Sequence, residues 1–270
     1  MRIYANKLSA HSLCMQHYDF KDKTVLITGA SMGIGAEFAR ELSRRGAQLI
    51  LVARSESLLQ KLAHELGGAT VIAQDLTQPR AARELFDAVT ARDLAVDVLI
   101  NNAGFGTHGL FTEIPLETQR SAIELNVGAL VELTHTFLPM IERRAGGIIQ
   151  VASTAAFQAV PSMAVYAASK AFVLSFSEAL WGEYRDRGVR VLALCPGATD
   201  TPFFERAGEA AALGKKARPE AVVQLALRAF DRNKSHAIHG TKNFILAHAN
   251  RLVPREQVIK LSARLMMEQC

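Results

Sequence analysis

Short apolar runs alternate with amphipathic helical stretches along most of the chain, and this alternation constrains the fold more than any other feature. The apolar runs are Thr24–Ile27, Gln48–Val52, Thr70–Ala73, Val96–Ile100, Gly147–Ala152 and Arg190–Leu194. Between them lie Ala36–Arg45, closed by Gly46, then Ser55–Leu66, 79–92, 115–144 and 162–186. In Ser55–Leu66, Leu58, Leu59, Leu62 and Leu66 fall on one helix face, and Gly67-Gly68 supplies a stop. Strands that are apolar throughout must be covered on both faces, and strands separated by helices pair in parallel. Right-handed crossovers then give a doubly wound α/β domain.

The pattern breaks after Pro196. Residues 198–217 carry no strand signal, a helix over 219–232 opens at Pro219-Glu220, and Ser235–Ile238 reads as a last, edge strand. Residues 243–269 read as helical and basic (Arg251, Arg255, Lys260, Arg264), interrupted at Pro254. No repeat or linker divides the chain, so residues 21–270 are expected to form one domain, with a substrate segment at 198–217. Residues 1–20 read as a poorly ordered extension without the apolar core of a signal peptide, and Met15 offers a second start.

Composition removes several classes. No run of about 18 apolar residues exists, which excludes a membrane-spanning helix. The excess of 31 Lys and Arg over 26 Asp and Glu is scattered, as in Arg44-Arg45, Arg143-Arg144 and Lys215-Lys216, so no nucleic-acid stripe is expected. Cys14, Cys195 and Cys270 are odd in number and far apart, which fits neither a disulfide framework nor a zinc site and suits a reducing, cytoplasmic location. His236 and His239 lack acidic or cysteine partners at ligand spacing, so no metal is expected. Ser153, flanked by Val151 and Ala155, lacks the glycine elbow of a serine hydrolase.

The chemistry-bearing residues begin where the first strand runs into Thr28-Gly29-Ala30-Ser31-Met32-Gly33-Ile34-Gly35 and a helix. Gly29 permits a tight turn, Gly33 lets the backbone approach a pyrophosphate, and Gly35 lets helix and strand pack closely. The helix N-terminus offers unpaired N–H groups to phosphates. After the second strand, where a carboxylate would hold the ribose hydroxyl of NAD, the chain has Ala53-Arg54-Ser55. Arg54 suits a 2′-phosphate, which argues for NADP(H), with NAD(H) as the alternative if Arg54 is an ordinary surface residue. Tyr166 and Lys170 stand at i and i+4 of one helix, where a lysine cation lowers a phenol's pKa toward the range a general acid/base needs.

Together these residues resemble the short-chain dehydrogenase/reductase family, in its compact single-domain branch, over most of 22–201. The resemblance rests on the turn from Thr28 to Gly35, Asp75 after the third strand, Asn101-Asn102-Ala103-Gly104 after the fourth, Asn126, Ser153, Tyr166, Lys170 and Pro196-Gly197. It implies a Rossmann-like fold and a hydride exchanged between nicotinamide and a carbonyl or secondary alcohol. Tyr166 would exchange the proton, Lys170 would lower its pKa and bind the nicotinamide ribose, Ser153 would hold the substrate oxygen, and Asn126 would hold a water relaying Lys170 to solvent. The cofactor would lie along Gly29, Ser31, Met32, Gly33, Ile34, Gly35, Arg54, Asp75, Leu76, Asn102, Ala103, Gly104, Tyr166, Lys170, Pro196, Gly197, Thr199 and Thr201. NADP-dependent relatives often place a basic residue where this chain has Met32, which leaves Arg54, with Ser31 and Ser55, to carry the NADP expectation.

Singly, Asp75 reads equally as a helix N-cap, Asn126 as a satisfied helix amide and Ser153 as a loop hydroxyl. The competing function is a cofactor-binding sensor or scaffold, which should have lost part of the Asn126, Ser153, Tyr166 and Lys170 set. Phe203, Phe204 and Leu213 suggest an apolar lining and so a lipid-like, aromatic or steroid-like substrate. Phe172, Val173, Phe176 and Leu180 give the tyrosine helix more apolar surface than a sheet face covers, so a homodimer or homotetramer is expected. The basic C-terminal helices are expected to be solvated faces rather than a peripheral membrane contact.

Overall fold

A computed structural model describes residues 17–208, 211–212, 214–250 and 252–267. The strands are β1 Thr24–Thr28, β2 Gln48–Ala53, β3 Thr70–Ala73, β4 Val98–Asn101, β5 Gly147–Val151, β6 Arg190–Cys195 and β7 His236–Ile238. They form one parallel sheet in the order β3-β2-β1-β4-β5-β6-β7. The helices are α1 Gly33–Arg44, α2 Glu56–Glu65, α3 Ala81–Thr90, α4 Leu116–Ile123, α5 Ala129–Arg143, α6 Ala164–Tyr184, α7 Phe203–Ala207, α8 Pro219–Asp231, α9 Thr241–Ala249 and α10 Arg255–Met267. No helix of the described residues is long and apolar enough to cross a membrane.

The continuously apolar strands are explained by which helices cover each face. Val25, Ile27, Leu51 and Ile100 pack against Phe38 and Leu42 of α1 and Val222 and Phe230 of α8. Their strand neighbours Leu26, Ile50 and Leu99 point the other way, against Leu85 of α3 and Leu133 and Phe137 of α5. Alternate residues thus fill two cores, so every strand position is apolar. The chain winds outward from β1 in both directions, so the loops after β1 and β4 part at the sheet's carboxyl edge and leave a crevice.

Three expectations are corrected. Residues 17–20 belong to the domain rather than to an extension. Tyr18 and Phe20 are 6% and 2% exposed and pack their rings 5.1 and 5.8 Å from that of Phe230. The expected helix over 115–144 is interrupted by a π-helical turn at Glu124–Gly128, with Asn126 inside it. On the tyrosine helix, Val173 and Leu180 are core residues and Phe176 is partly buried, so only Phe172 of the four apolar residues is exposed. Between 198 and 217, where no strand was expected, the described residues hold α7 and an isolated bridge between Thr199 and Ala217. Residues 1–16, including Cys14 and Met15, lie outside the described residues, as do Leu213, Arg251 and Cys270.

Candidate active site

The loops after β1 to β6 all leave the carboxyl edge of the sheet, so the predicted residues, far apart in sequence, meet along one crevice. At its centre the glycine turn is held in a shape that side chains resist. Gly29 and Gly33 have φ of 63° and 58°, and a Cβ on Gly29 would stand 2.9 Å from the Cα of Ala103. A Cβ on Gly33 would meet Thr201 at 3.1 Å, so this turn and the loop after β6 face each other. Gly35 seats α1 on the turn, since a Cβ there would run into the Gly29 carbonyl oxygen. Met32 precedes α1 without a side-chain cap, and the first turn carries no acidic residue. The positive end of the helix is therefore left for an anion, as a pyrophosphate site requires.

Thr28, quoted in the motif but not counted as a site residue, joins this turn to β4. Its hydroxyl donates to the Ile100 carbonyl at 3.3 Å and accepts the N–H groups of Asn102 and Ala103, each at 3.0 Å. Asn102 donates its side-chain amide to the Thr28 and Gly29 carbonyls at 2.9 and 3.1 Å. Its side chain therefore braces the glycine turn.

Arg54 is exposed at the end of β2 and close enough to Asp75 to help hold that carboxyl below its ordinary pKa. The larger cause is Thr77, whose N–H and hydroxyl donate to Asp75 Oδ1 at 3.0 and 2.8 Å. Asp75 thus closes a local turn rather than capping α3, whose N-cap is Arg80. Leu76, 6% exposed, packs into the core shared with α3 and α5.

Beyond the turn lie the acid/base candidates. Ser153, after β5, accepts the Ala155 N–H at 3.1 Å and lies near enough to Tyr166 to favour its ionised form slightly. One turn along α6, Lys170 is 6% exposed, donates to the Val151 carbonyl at 2.7 Å and lies 5.8 Å from the Tyr166 ring centroid. The expected lowering of the phenol's pKa is not what this arrangement gives. Burial pushes Tyr166 up to about 12, against a smaller opposing effect of Ser153, and pushes Lys170 down to about 8. The ammonium is turned to a carbonyl, so its charge does not offset the phenol's desolvation.

Asn126 reaches this group through the π-helical turn. Its Oδ1 accepts the Phe105 N–H at 3.0 Å, and its Nδ2 donates to the Phe105 carbonyl at 2.9 Å and to Ser169 Oγ at 3.1 Å. A Cβ on Gly104 would stand 2.9 Å from Asn126 Oδ1 and 3.4 Å from Lys170 Nζ. Asn126 therefore pins the loop after β4 against the lysine. The widened turn that places it had no signal in an otherwise helical stretch.

After β6, the Pro196 carbonyl accepts the Thr154 N–H at 2.9 Å, tying this loop to the Ser153 turn. Thr199 and Thr201 make short local bonds to the carbonyls of Gly197 and Thr199. Phe203 lies 5.5 Å from the Tyr166 ring, while Phe204 is buried. Gly106 leaves room for both aromatic rings, since a Cβ there would stand 2.9 Å from Tyr166 and 3.0 Å from Phe203. On the far side, Val160, Met163 and Met266 form a buried apolar cluster against Tyr166. These apolar walls were missed because Met266 comes from a helix a hundred residues away in sequence.

A glycine turn at the switch point of a doubly wound sheet is the framework of the dinucleotide-binding oxidoreductases. More specifically, the family model described as short chain dehydrogenase matches residues 23–212, and the chain belongs to that family. Among curated relatives, the oxidoreductase UcpA of Salmonella typhimurium is 37% identical over 189 residues, covering 68% of this chain and 72% of that one. A short-chain dehydrogenase from Sphingobium yanoikuyae, solved in complex with NADPH, superposes with a TM-score of 0.76 at 35% identity. That match covers 85% of this chain and 94% of the other. The bulky-bulky ketone specific alcohol dehydrogenase from Comamonas testosteroni gives a TM-score of 0.73 at 31% identity, over 85% and 92% of the two chains. The protein is an oxidoreductase of this family.

Proposed function

We propose that the protein is an NADP(H)-preferring oxidoreductase that interconverts a carbonyl compound and a secondary alcohol, with Tyr166 as the general acid/base. The observation that carries this reading is the gathering of Ser153, Tyr166 and Lys170, with Lys170 one turn along α6 from Tyr166, at the edge where the glycine turn opens. Gly29, Gly33 and the open end of α1 fit a pyrophosphate, Ser31, Ile34 and Ala103 flank it, and Arg54 fits a 2′-phosphate. The NADPH-bound relative from Sphingobium yanoikuyae supports the same choice. A bound nicotinamide supplies the hydride, which no side chain can provide.

This chain's own residues handle the proton. With its pKa near 12, Tyr166 keeps its proton at neutral pH and is ready to give it to a carbonyl oxygen during reduction. Ser153 sits beside the phenol to hold the same oxygen. In the oxidative direction the phenol must lose its proton, and a Lys170 ammonium drawn off the Val151 carbonyl toward the phenolate would stabilise that charge. Asn126, by pinning Phe105 and Ser169, keeps Lys170 in reach and borders the path by which a water would connect it to solvent.

Phe203, Val160, Met163 and Met266 give the cleft apolar walls, which favours a bulky lipid-like or aromatic carbonyl. The ketone-specific relative from Comamonas testosteroni supports that choice. The sensor alternative is not favoured, because Ser153, Tyr166 and Lys170 are gathered rather than dispersed. A homodimer or homotetramer across α4 and α6, where Ile123 and Phe172 are exposed, completes the reading, with a cytoplasmic location. A panel of aromatic and long-chain ketones mixed with NADPH tests the function. Oxidation of NADPH by at least one is expected, and none throughout the panel would refute it.

A further inference from the structure

We propose that α9, α10 and the turn between them form a docking surface for an anionic lipid bilayer. Among the described residues, eight of the fifteen exposed large apolar side chains lie between 244 and 265. Leu252, 88% exposed, and Val253 project from the turn, with Ile245 and Leu246 exposed on α9 and Leu261 and Leu265 on α10. On α10 the i, i+4 pair Leu261 and Leu265 lies beside the i, i+4 pair Lys260 and Arg264, while Ser262 and Met266 form the buried side. Lys242 and Arg255 add to the charge, and Glu256 is the only acidic residue on either helix.

Apolar residues flanked by cations along helices lying on a surface are what an interface rich in anionic headgroups binds. Two other occupants fit less well. A second copy in a two-fold contact would set the same cations against each other. A folded acidic protein would need pockets matched to a protruding turn, whereas acyl chains take up Leu252 and Val253 without matched shape. The proposal thus departs from the sequence expectation of ordinary solvated faces. Met266, on the inner side of α10, packs beside Tyr166, so the docked helix also walls the cleft. The inference rests on the surface alone and not on the proposed reaction.

The full chain is sedimented with phosphatidylcholine vesicles, with and without phosphatidylglycerol, while its mass is followed by light scattering. Pelleting only with phosphatidylglycerol vesicles is expected, together with its loss for Leu252→Asp. A drop of about fivefold in partitioning is expected for each of Lys260→Gln and Arg264→Gln. These exposed positions lie outside the catalytic group, and unchanged thermal unfolding confirms folding. A chain that stays in solution with anionic vesicles, or that pellets equally with phosphatidylcholine alone, overturns the proposal. So does pelleting that none of the substitutions affects. Absent vesicle binding with a fall in mass for Leu252→Asp would assign the surface to a second copy.

Discussion

Lys170 offers a quantitative test of the site's electrostatics that needs no substrate. The residue is 6% exposed and its pKa lies at about 8, against 10.5 for an unburied lysine, because burial disfavours the charge. Between those values the unfolded chain holds the proton and the folded chain releases it. The folded state is thus penalised below about pH 8, and stability grows as pH rises toward 10.5. Integrated from about pH 7 to about pH 10, the gain is on the order of 2–3 kcal/mol. Other groups titrate as well, so the useful quantity is the difference between the wild type and Lys170→Met. Tyr166 and Cys195, both raised to about 12, stay protonated in the folded state of either protein over this range. Urea unfolding at several pH values should show the wild type gaining on the variant by that amount. A difference that stays flat, or falls, would mean that Lys170 keeps an ordinary pKa and that its setting is not desolvated.

The remaining predictions concern separate parts of the account. Arg54→Ala should weaken NADPH binding about tenfold, the lower range for an exposed charge-assisted pair, and leave NADH binding unchanged in a nicotinamide fluorescence titration. Gly106→Ala places a methyl against Tyr166 and Phe203 and should slow carbonyl reduction by roughly tenfold or more with little change in melting temperature. Phe230→Ala empties a fully buried site beneath Tyr18 and Phe20 and should cost about 3–5 kcal/mol in denaturant unfolding. Truncation to residue 21 should also destabilise the domain, since it strips two rings from Phe230.

Much of the sheet was legible because a parallel strand covered on both faces has few apolar substitutes, and Leu26 and Ile27 must both be apolar to serve opposite cores. The glycine turn was legible for a related reason, as only glycine accepts the close approach of Ala103 at Gly29 and of the Gly29 carbonyl at Gly35. What stayed hidden depends on contacts distant in sequence. Tyr18 looks like part of a tail until α8 supplies Phe230. Val173 and Leu180 look like surplus surface until the neighbouring elements close over them. The π-helical turn around Asn126 leaves no mark on helical periodicity, and the spacing of Tyr166 and Lys170 does not say that Lys170 turns to the Val151 carbonyl.

The central claim is that Tyr166 supplies the proton to a carbonyl substrate beside bound NADPH. It is tested most directly by single-turnover reduction of an accepted ketone by the wild type and Tyr166→Phe, with NADPH affinity measured on the same samples. The rate should fall by about 10²–10⁴-fold while NADPH still binds, since only the proton donor is removed. An unchanged rate would contradict the role of Tyr166 and the chemistry built on it.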